Sequence, residues 1–303
     1  MGFREKLRRR QEKIGSIVCI GLDPLPEKCP QCLRISDGEV PLSDGEVPFG
    51  TIFRWMAKIV NATAPYSCMY KLQRAHYEAI LSGELALRAI VRYLRENYPD
   101  VLIFLDCKRG DIGRTQARYR KAHFYLDNVD GINFNPYMGF DCISGLVDEK
   151  VKKQGKAIVG LCYTSNPAAR EIQDVRLFHD GKFLWEYIAE KVLEWTEKLG
   201  IQENAGLVMA AAYESLKGSG DVFSYHLKRM REIVRDKLWF LIPGVGTQGG
   251  AIKETVENAW AGWGSMTINS SSAIIFASDG PDFAEAAAEK AKQLRDEINK
   301  YIP

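Results

Sequence analysis

The chain predicts an α/β protein of the (β/α)8, or TIM-barrel, class, folded as a single domain over residues 1–303. Three observations carry that expectation. Eight short apolar runs alternate with stretches of helical period from end to end, the pattern of a parallel barrel. Several of those runs end in charged or polar residues, and barrels gather their chemistry at the C-terminal ends of their strands. The segment after the seventh run, residues 243–250, holds four glycines within seven positions and leads into a helix. Barrels commonly hold phosphate in the loops after strands seven and eight. An open doubly wound sheet, the runner-up, usually has fewer strands and often a Gly-x-Gly-x-x-Gly first turn, which Gly21-Leu22-Asp23 does not supply.

Taken in order, Met1 to Lys13 reads as a helix with a solvated, charged face. Ser16 to Asp23 is the first strand, closed by Asp23-Pro24. An inserted loop follows around residues 25–50, containing Cys29-x-x-Cys32 and a duplication, Ser36 to Leu42 repeated as Ser43 to Phe49. Its Gly, Pro and acidic content suits an exposed loop, and the single Cys pair lacks the second pair a zinc site needs. Thr51 to Thr63 has helical spacing, and Tyr66 to Lys71 is the second strand, ending in a lysine. A helix over Glu84 to Asn97 leads to the third strand, Val101 to Leu105, which runs into Asp106-Cys107-Lys108-Arg109-Gly110-Asp111. Arg114 to Leu126 is a helix and Gly131 to Tyr137 the fourth strand. The fifth strand, Ala157 to Cys162, runs into Tyr163-Thr164-Ser165-Asn166-Pro167. A helix over Phe183 to Leu199, a strand over Ala205 to Ala211 and a helix over His226 to Asp236 come next. Trp239 to Pro243 and Ser265 to Asn269 are the last two strands, and Asp282 to Lys300 is the closing helix.

Composition narrows the function class. The chain is 46% hydrophobic and 26% charged with a net charge of +2, an ordinary balance for a globular protein and a poor one for binding nucleic acid. No apolar run approaches a membrane span or a signal core, and seven scattered cysteines in mostly strand-like runs suit a reducing compartment, so a cytoplasmic location is expected.

The candidate site follows from the barrel. Asp23, Lys71, Asp106, Lys108, Asn135 and Thr164-Ser165-Asn166 all fall at strand ends, around one mouth, with the glycine loop beside them. Asp106 and Lys108 are two apart, so an extended chain sends both side chains to one face. Charges crowded at a strand mouth are costly to desolvate unless they form a network. Glycines let backbone N–H groups wrap an anion, which points to a phosphorylated substrate.

Asp106-Cys107-Lys108-Arg109-Gly110-Asp111-Ile112, Asn135-Pro136-Tyr137-Met138-Gly139, Thr164-Ser165-Asn166-Pro167 and Pro243-Gly244-Val245-Gly246-Thr247-Gln248-Gly249-Gly250 together resemble the orotidine 5'-phosphate decarboxylases, in the longer bacterial-type branch. The resemblance spans nearly the whole chain, in the family's order. It implies conversion of orotidine 5'-monophosphate to UMP with loss of carbon dioxide, using no metal and no organic cofactor. It implies a charged network of Lys71, Asp106, Lys108 and Asp111, with Asp111 reaching the neighbouring subunit's site in a homodimer. Asp23 and Thr115 match positions near the ribose, Ser165 one that bonds the pyrimidine, and Gln248 one bridging base and phosphate, beside Gly249 and Gly250. Decarboxylation leaves an electron pair on C6 in the ring plane, and a positioned ammonium there, Lys108, is able to stabilise and then protonate it.

Two departures stand out. The family's phosphate-binding arginine after the eighth strand is replaced by Ser272, and Ala210-Ala211-Ala212 replaces an expected Gly-Ala-Thr. Two alternatives therefore stay open: a related metal-dependent sugar-phosphate lyase, and a nucleotide-binding barrel whose activity is impaired at Ser272.

Overall fold

In the computed structural model, which describes residues 1–35, 47–214, 221–245 and 250–303, eight parallel strands close into a barrel. They are β1 (Val18–Gly21), β2 (Met69–Gln73), β3 (Leu102–Arg109), β4 (Gly131–Phe134), β5 (Ala157–Tyr163), β6 (Gly206–Met209), β7 (Trp239–Pro243) and β8 (Met266–Ser270). Each pairs with the next in chain order, and β8 closes on β1 with Val18 opposite Ile268. Helices link successive strands, and their apolar faces pack on the outside of the barrel in one large cluster with residues such as Ile20, Tyr70, Ile103 and Phe240. A second cluster, with Cys19, Met69, Leu102, Phe104, Val159, Trp239 and Leu241, fills the inside. The alternation of inner and outer residues along each strand explains both layers.

The helix Phe3–Ile14 differs from its sequence reading as a solvated face. Phe3, Leu7, Arg10 and Gln11 are buried. Phe3 stacks on Trp239 at 5.0 Å and joins the inner cluster, so the helix closes the end of the barrel opposite the strand C-termini. The Gln11 Nε2 donates to the Met266 carbonyl (2.8 Å) and its Oε1 accepts from the Gly264 N–H (2.7 Å). The cationic sequence concealed an i, i+4 apolar pair and a glutamine that bonds only tertiary partners.

Other boundaries move for local reasons. The 25–50 segment is not all loop: it holds a 3-10 turn, Pro26–Lys28, and a short helix, Gln31–Ile35, and the next helix begins at Phe49. Most of the duplication, residues 36–46, lies outside the described residues. β4 stops at Phe134, because Pro136 has no N–H to donate and instead opens a 3-10 turn, Pro136–Met138. β6 stops at Met209, and Ala212–Glu214 pairs antiparallel with both Val222–Phe223 and Gly250–Ala251, a small sheet that the sequence reading did not anticipate. The helix expected over 114–126 is α-helical over Gly113–Arg120 and π-helical over Lys121–Leu126. Among the described residues no helix is long and apolar enough to cross a membrane.

Candidate active site

The register of β1, β2 and β3 sets three charged residues side by side. Gly21 lies opposite Lys71 and Gln73 opposite Asp106, which carries Asp23, Lys71 and Asp106 to one mouth. The Lys71 Nζ stands 3.4 Å from Asp23 Oδ2 and 3.5 Å from Asp106 Oδ2, and Lys108 Nζ donates to Asp106 Oδ1 at 2.6 Å. The signs alternate and the four groups sum to zero, so each charge has an opposite neighbour, which is what makes such a cluster tolerable with three of its members shielded from water. Neutral donors bond both carboxylates of the row. The Ser271 hydroxyl donates to Asp23 Oδ2 (2.7 Å), and Asn133 Nδ2 donates to Asp106 Oδ1 (2.7 Å).

Burial by itself would push the Lys71 ammonium towards neutrality, but Asp23 and Asp106 outweigh it and hold the group above the ordinary lysine range. Burial would likewise raise the Asp106 carboxyl. The Lys71 and Lys108 ammoniums, helped by Asn133, hold it below its usual value instead. Lys71 and Asp106 therefore both stay ionised at neutral pH. Lys71 is 5% exposed, whereas the Lys108 side chain is 48% exposed, so the outer lysine is the one open to solvent at the mouth.

Behind the mouth, Arg109 anchors the end of β3. Its guanidinium lies over the Tyr119 ring at 4.6 Å, donates to His123 Nε2 (3.2 Å) and pairs with Glu78 (3.0 Å). The His123 Nδ1 in turn meets Asp127, which also accepts from Arg74 and Arg88. Burial, together with Arg109, outweighs Asp127 and lowers His123 below its ordinary value, so Nε2 is an unprotonated acceptor for Arg109.

Known proteins resemble the chain over nearly its whole length. A family model described as Orotidine 5'-phosphate decarboxylase / HUMPS family matches residues 16–289. The chain belongs to that family. A protein named orotidine 5'-phosphate decarboxylase from Dehalococcoides mccartyi is 35% identical over 304 residues, covering 99% of this chain and 98% of that protein. One of the same name from a Janthinobacterium species is 36% identical over 303 residues, covering all of both. The solved structure of Leishmania donovani OMP decarboxylase superposes with a TM-score of 0.75 at 27% identity, covering 99% of each chain.

The remaining positions suggested by the resemblance to orotidine 5'-phosphate decarboxylases are placed unevenly. Asp111 accepts from its neighbour's backbone, the Ile112 N–H (2.7 Å), and is not drawn into its own chain's network of Asp23, Lys71, Asp106 and Lys108. Asn135 is exposed, with Oδ1 accepting the Tyr137 N–H (3.0 Å). Ser165 is half-buried in the turn after β5, between Thr164 and Asn166, whose side chains bond each other at 2.7 Å. Thr115 is exposed on the helix Gly113–Arg120. Ser272 is exposed at the start of a four-residue helix, Ser272–Ile275, while its neighbour Ser271 is the one that engages Asp23. Gly250 sits in the small antiparallel sheet, and Gln248 and Gly249 lie outside the described residues.

Two members of the network were not singled out in the sequence. Asn133 had a signal, a lone polar residue inside the apolar run Gly131 to Phe134. Ser271 had none, being one of three consecutive serines.

Proposed function

We propose that this chain converts orotidine 5'-monophosphate to UMP and carbon dioxide, with Lys108 as the proton donor. The observation that carries the reading is the alternating row Asp23, Lys71, Asp106 and Lys108 at the mouth of the barrel. The bond from C6 to its carboxylate breaks with its electron pair left on C6, carbon dioxide departs, and a proton passes from the Lys108 ammonium to C6. The neutral amine then regains a proton from solvent. Asp106 pairs with the Lys108 ammonium and fixes it until that moment, and its negative charge would crowd the substrate carboxylate. The chemistry needs no metal or organic cofactor. A remote phosphate, held by the 243–250 loop and the Ser272 region, supplies binding energy that orients the ring.

We further read the active unit as a cytoplasmic homodimer in which Asp111 completes the partner's site. Asp111 lies outside its own chain's network, and the exposed Ile112, Tyr137 and Met138 give the neighbouring loops an apolar surface. Against a metal-dependent sugar-phosphate lyase stands the pairing of both mouth carboxylates, Asp23 and Asp106, with lysine. The test is the loss of ultraviolet absorbance when purified protein meets orotidine 5'-monophosphate, with and without EDTA. EDTA-resistant turnover that falls about a thousandfold or more in Lys108→Ala is expected. Near-normal carbon dioxide release by that variant would remove Lys108 from the role.

A further inference from the structure

We infer that Asn133 is a positioning residue that holds Lys108 in its reactive geometry, an inference that rests on the decarboxylase reading above. The ladder between β3 and β4 is regular at Phe104 with Gly131 and Leu105 with Ile132, and resumes at Arg109 with Phe134. Between those pairs β3 spends three residues, Asp106, Cys107 and Lys108, where β4 has only Asn133. A bulge of this kind strips the longer strand of its backbone partners and re-aims its side chains. Asn133 replaces two of those backbone partners and adds a bond to the Asp106 side chain. Its Oδ1 accepts from the Cys107 N–H (2.9 Å) and the Lys108 N–H (2.7 Å), and its Nδ2 donates to Asp106 Oδ1 (2.7 Å). The amide orientation is dictated by its partners, since two can only donate and the third, an ionised carboxylate, can only accept.

The bulge also puts Lys108 at φ +45°, a left-handed conformation that residues with a Cβ disfavour. Such a backbone persists where its surroundings over-determine it. Here a 1% exposed amide supplies the bond to the Lys108 N–H and orients the carboxylate that grips the Lys108 ammonium. One side chain thus fixes both ends of the lysine. A hydrophobic residue of similar size would leave two N–H groups without their side-chain partner and Asp106 oriented by its two lysines alone.

Two variants test this. In Asn133→Ala we expect kcat about a hundredfold lower with KM for orotidine 5'-monophosphate changed less than about threefold, because the loss lies in orientation rather than binding. Asn133→Asp keeps both acceptor bonds but sets a second carboxylate beside Asp106, where like charge disfavours ionisation. Its kcat should come closest to wild type at low pH, where the new carboxyl keeps its proton and donates to Asp106 as Nδ2 does, and should fall as pH rises and that proton is lost, an alkaline limb absent from wild type. A crystal structure of Asn133→Ala reports on the geometry independently of turnover. Lys108 departing from positive φ supports the inference; Lys108 unmoved, still bonded to Asp106, overturns it. Wild-type kcat and pH profile in both variants, with only thermal stability reduced, also overturns it. Wild-type protein that does not turn over orotidine 5'-monophosphate refutes the functional reading instead, and the variant structure then decides the positioning role alone.

Discussion

Lys71 and Lys108 belong to one row of charges yet differ in what they are free to do. Lys71 is nearly inaccessible and lies between two carboxylates that raise its proton affinity, so giving up a proton there is costly. Lys108 is half exposed and bonded to one carboxylate, which leaves donor positions on its ammonium for a ligand. That difference, rather than residue type, distinguishes the proposed donor from the residue that fixes Asp106. Ser272 raises a second question at this scale. A serine offers a phosphate one neutral hydrogen bond, where an arginine would offer a charged fork. Ser272 is exposed, so the longer side chain has room, and Ser272→Arg should lower the KM for orotidine 5'-monophosphate by about tenfold or more. Steady-state kinetics at constant ionic strength would show it, and an unchanged KM would mean that the phosphate binds elsewhere.

Among the elements, β3 and the helix Phe3–Ile14 show how local pattern and tertiary demand diverge. β3 runs four residues past Leu105, where its ladder with β4 breaks, held by Asn133 on one side and by the Arg109, His123 and Asp127 chain on the other. The N-terminal helix does its work at the far end of the barrel, where Phe3 is 1% exposed against Trp239. Phe3→Ala should therefore cost about 3–5 kcal/mol of stability through transfer and cavity terms. Its kcat should be unchanged, because the charged row lies at the opposite end of the strands. Guanidinium unfolding beside a turnover assay separates the two effects, and a kcat that fell with stability would couple the ends of the barrel.

For the whole molecule, two properties depend on more than one element. The first is assembly. Mixing Lys108→Ala with Asp111→Ala protomers, each inactive alone, should restore activity if Asp111 serves the partner's site, since one of the two sites in a mixed dimer then carries both native residues. No recovery, with mixed dimers demonstrated by mass spectrometry, would place Asp111 in its own site or outside the mechanism. The second is acid stability. His226 is fully buried between elements around β5 and β6, its Nε2 donating to the Ala210 carbonyl (2.9 Å), and burial pulls its pKa down to about 4. In the unfolded chain the same imidazole titrates near about 6.5. Above that pH both states are neutral and the folded form loses nothing. As pH falls towards 4 the unfolded chain takes up a proton that the native state refuses, a loss of about 3 kcal/mol. Denaturant unfolding between pH 7 and pH 4 should show this component in wild type and not in His226→Gln.

Much of the architecture was legible because it depends on near neighbours. Apolar runs of strand length separated by helical periods mark a parallel barrel whatever the details of packing, and the order of the strands follows from short right-handed connections. Lys71, Asp106 and Lys108 were legible too, since a charge at the end of a buried strand has few places to go. The helical closure of the barrel by Phe3 and Leu7 was hidden by its cationic neighbours, and the small sheet joining 212–214 to 250–251 pairs residues too distant in the chain to signal each other.

The sequence by itself determined the barrel, the mouth and the kinds of charge that line it, because strand period, turn residues and charge at strand ends act over a few residues. Only the tertiary structure decided which charges touch. Register between β1, β2 and β3 sets Asp23, Lys71 and Asp106 into a neutral row, and a three-against-one bulge makes Asn133 the residue that holds Lys108. Register and bulges arise from pairing between strands tens of residues apart, and no local pattern encodes that distance.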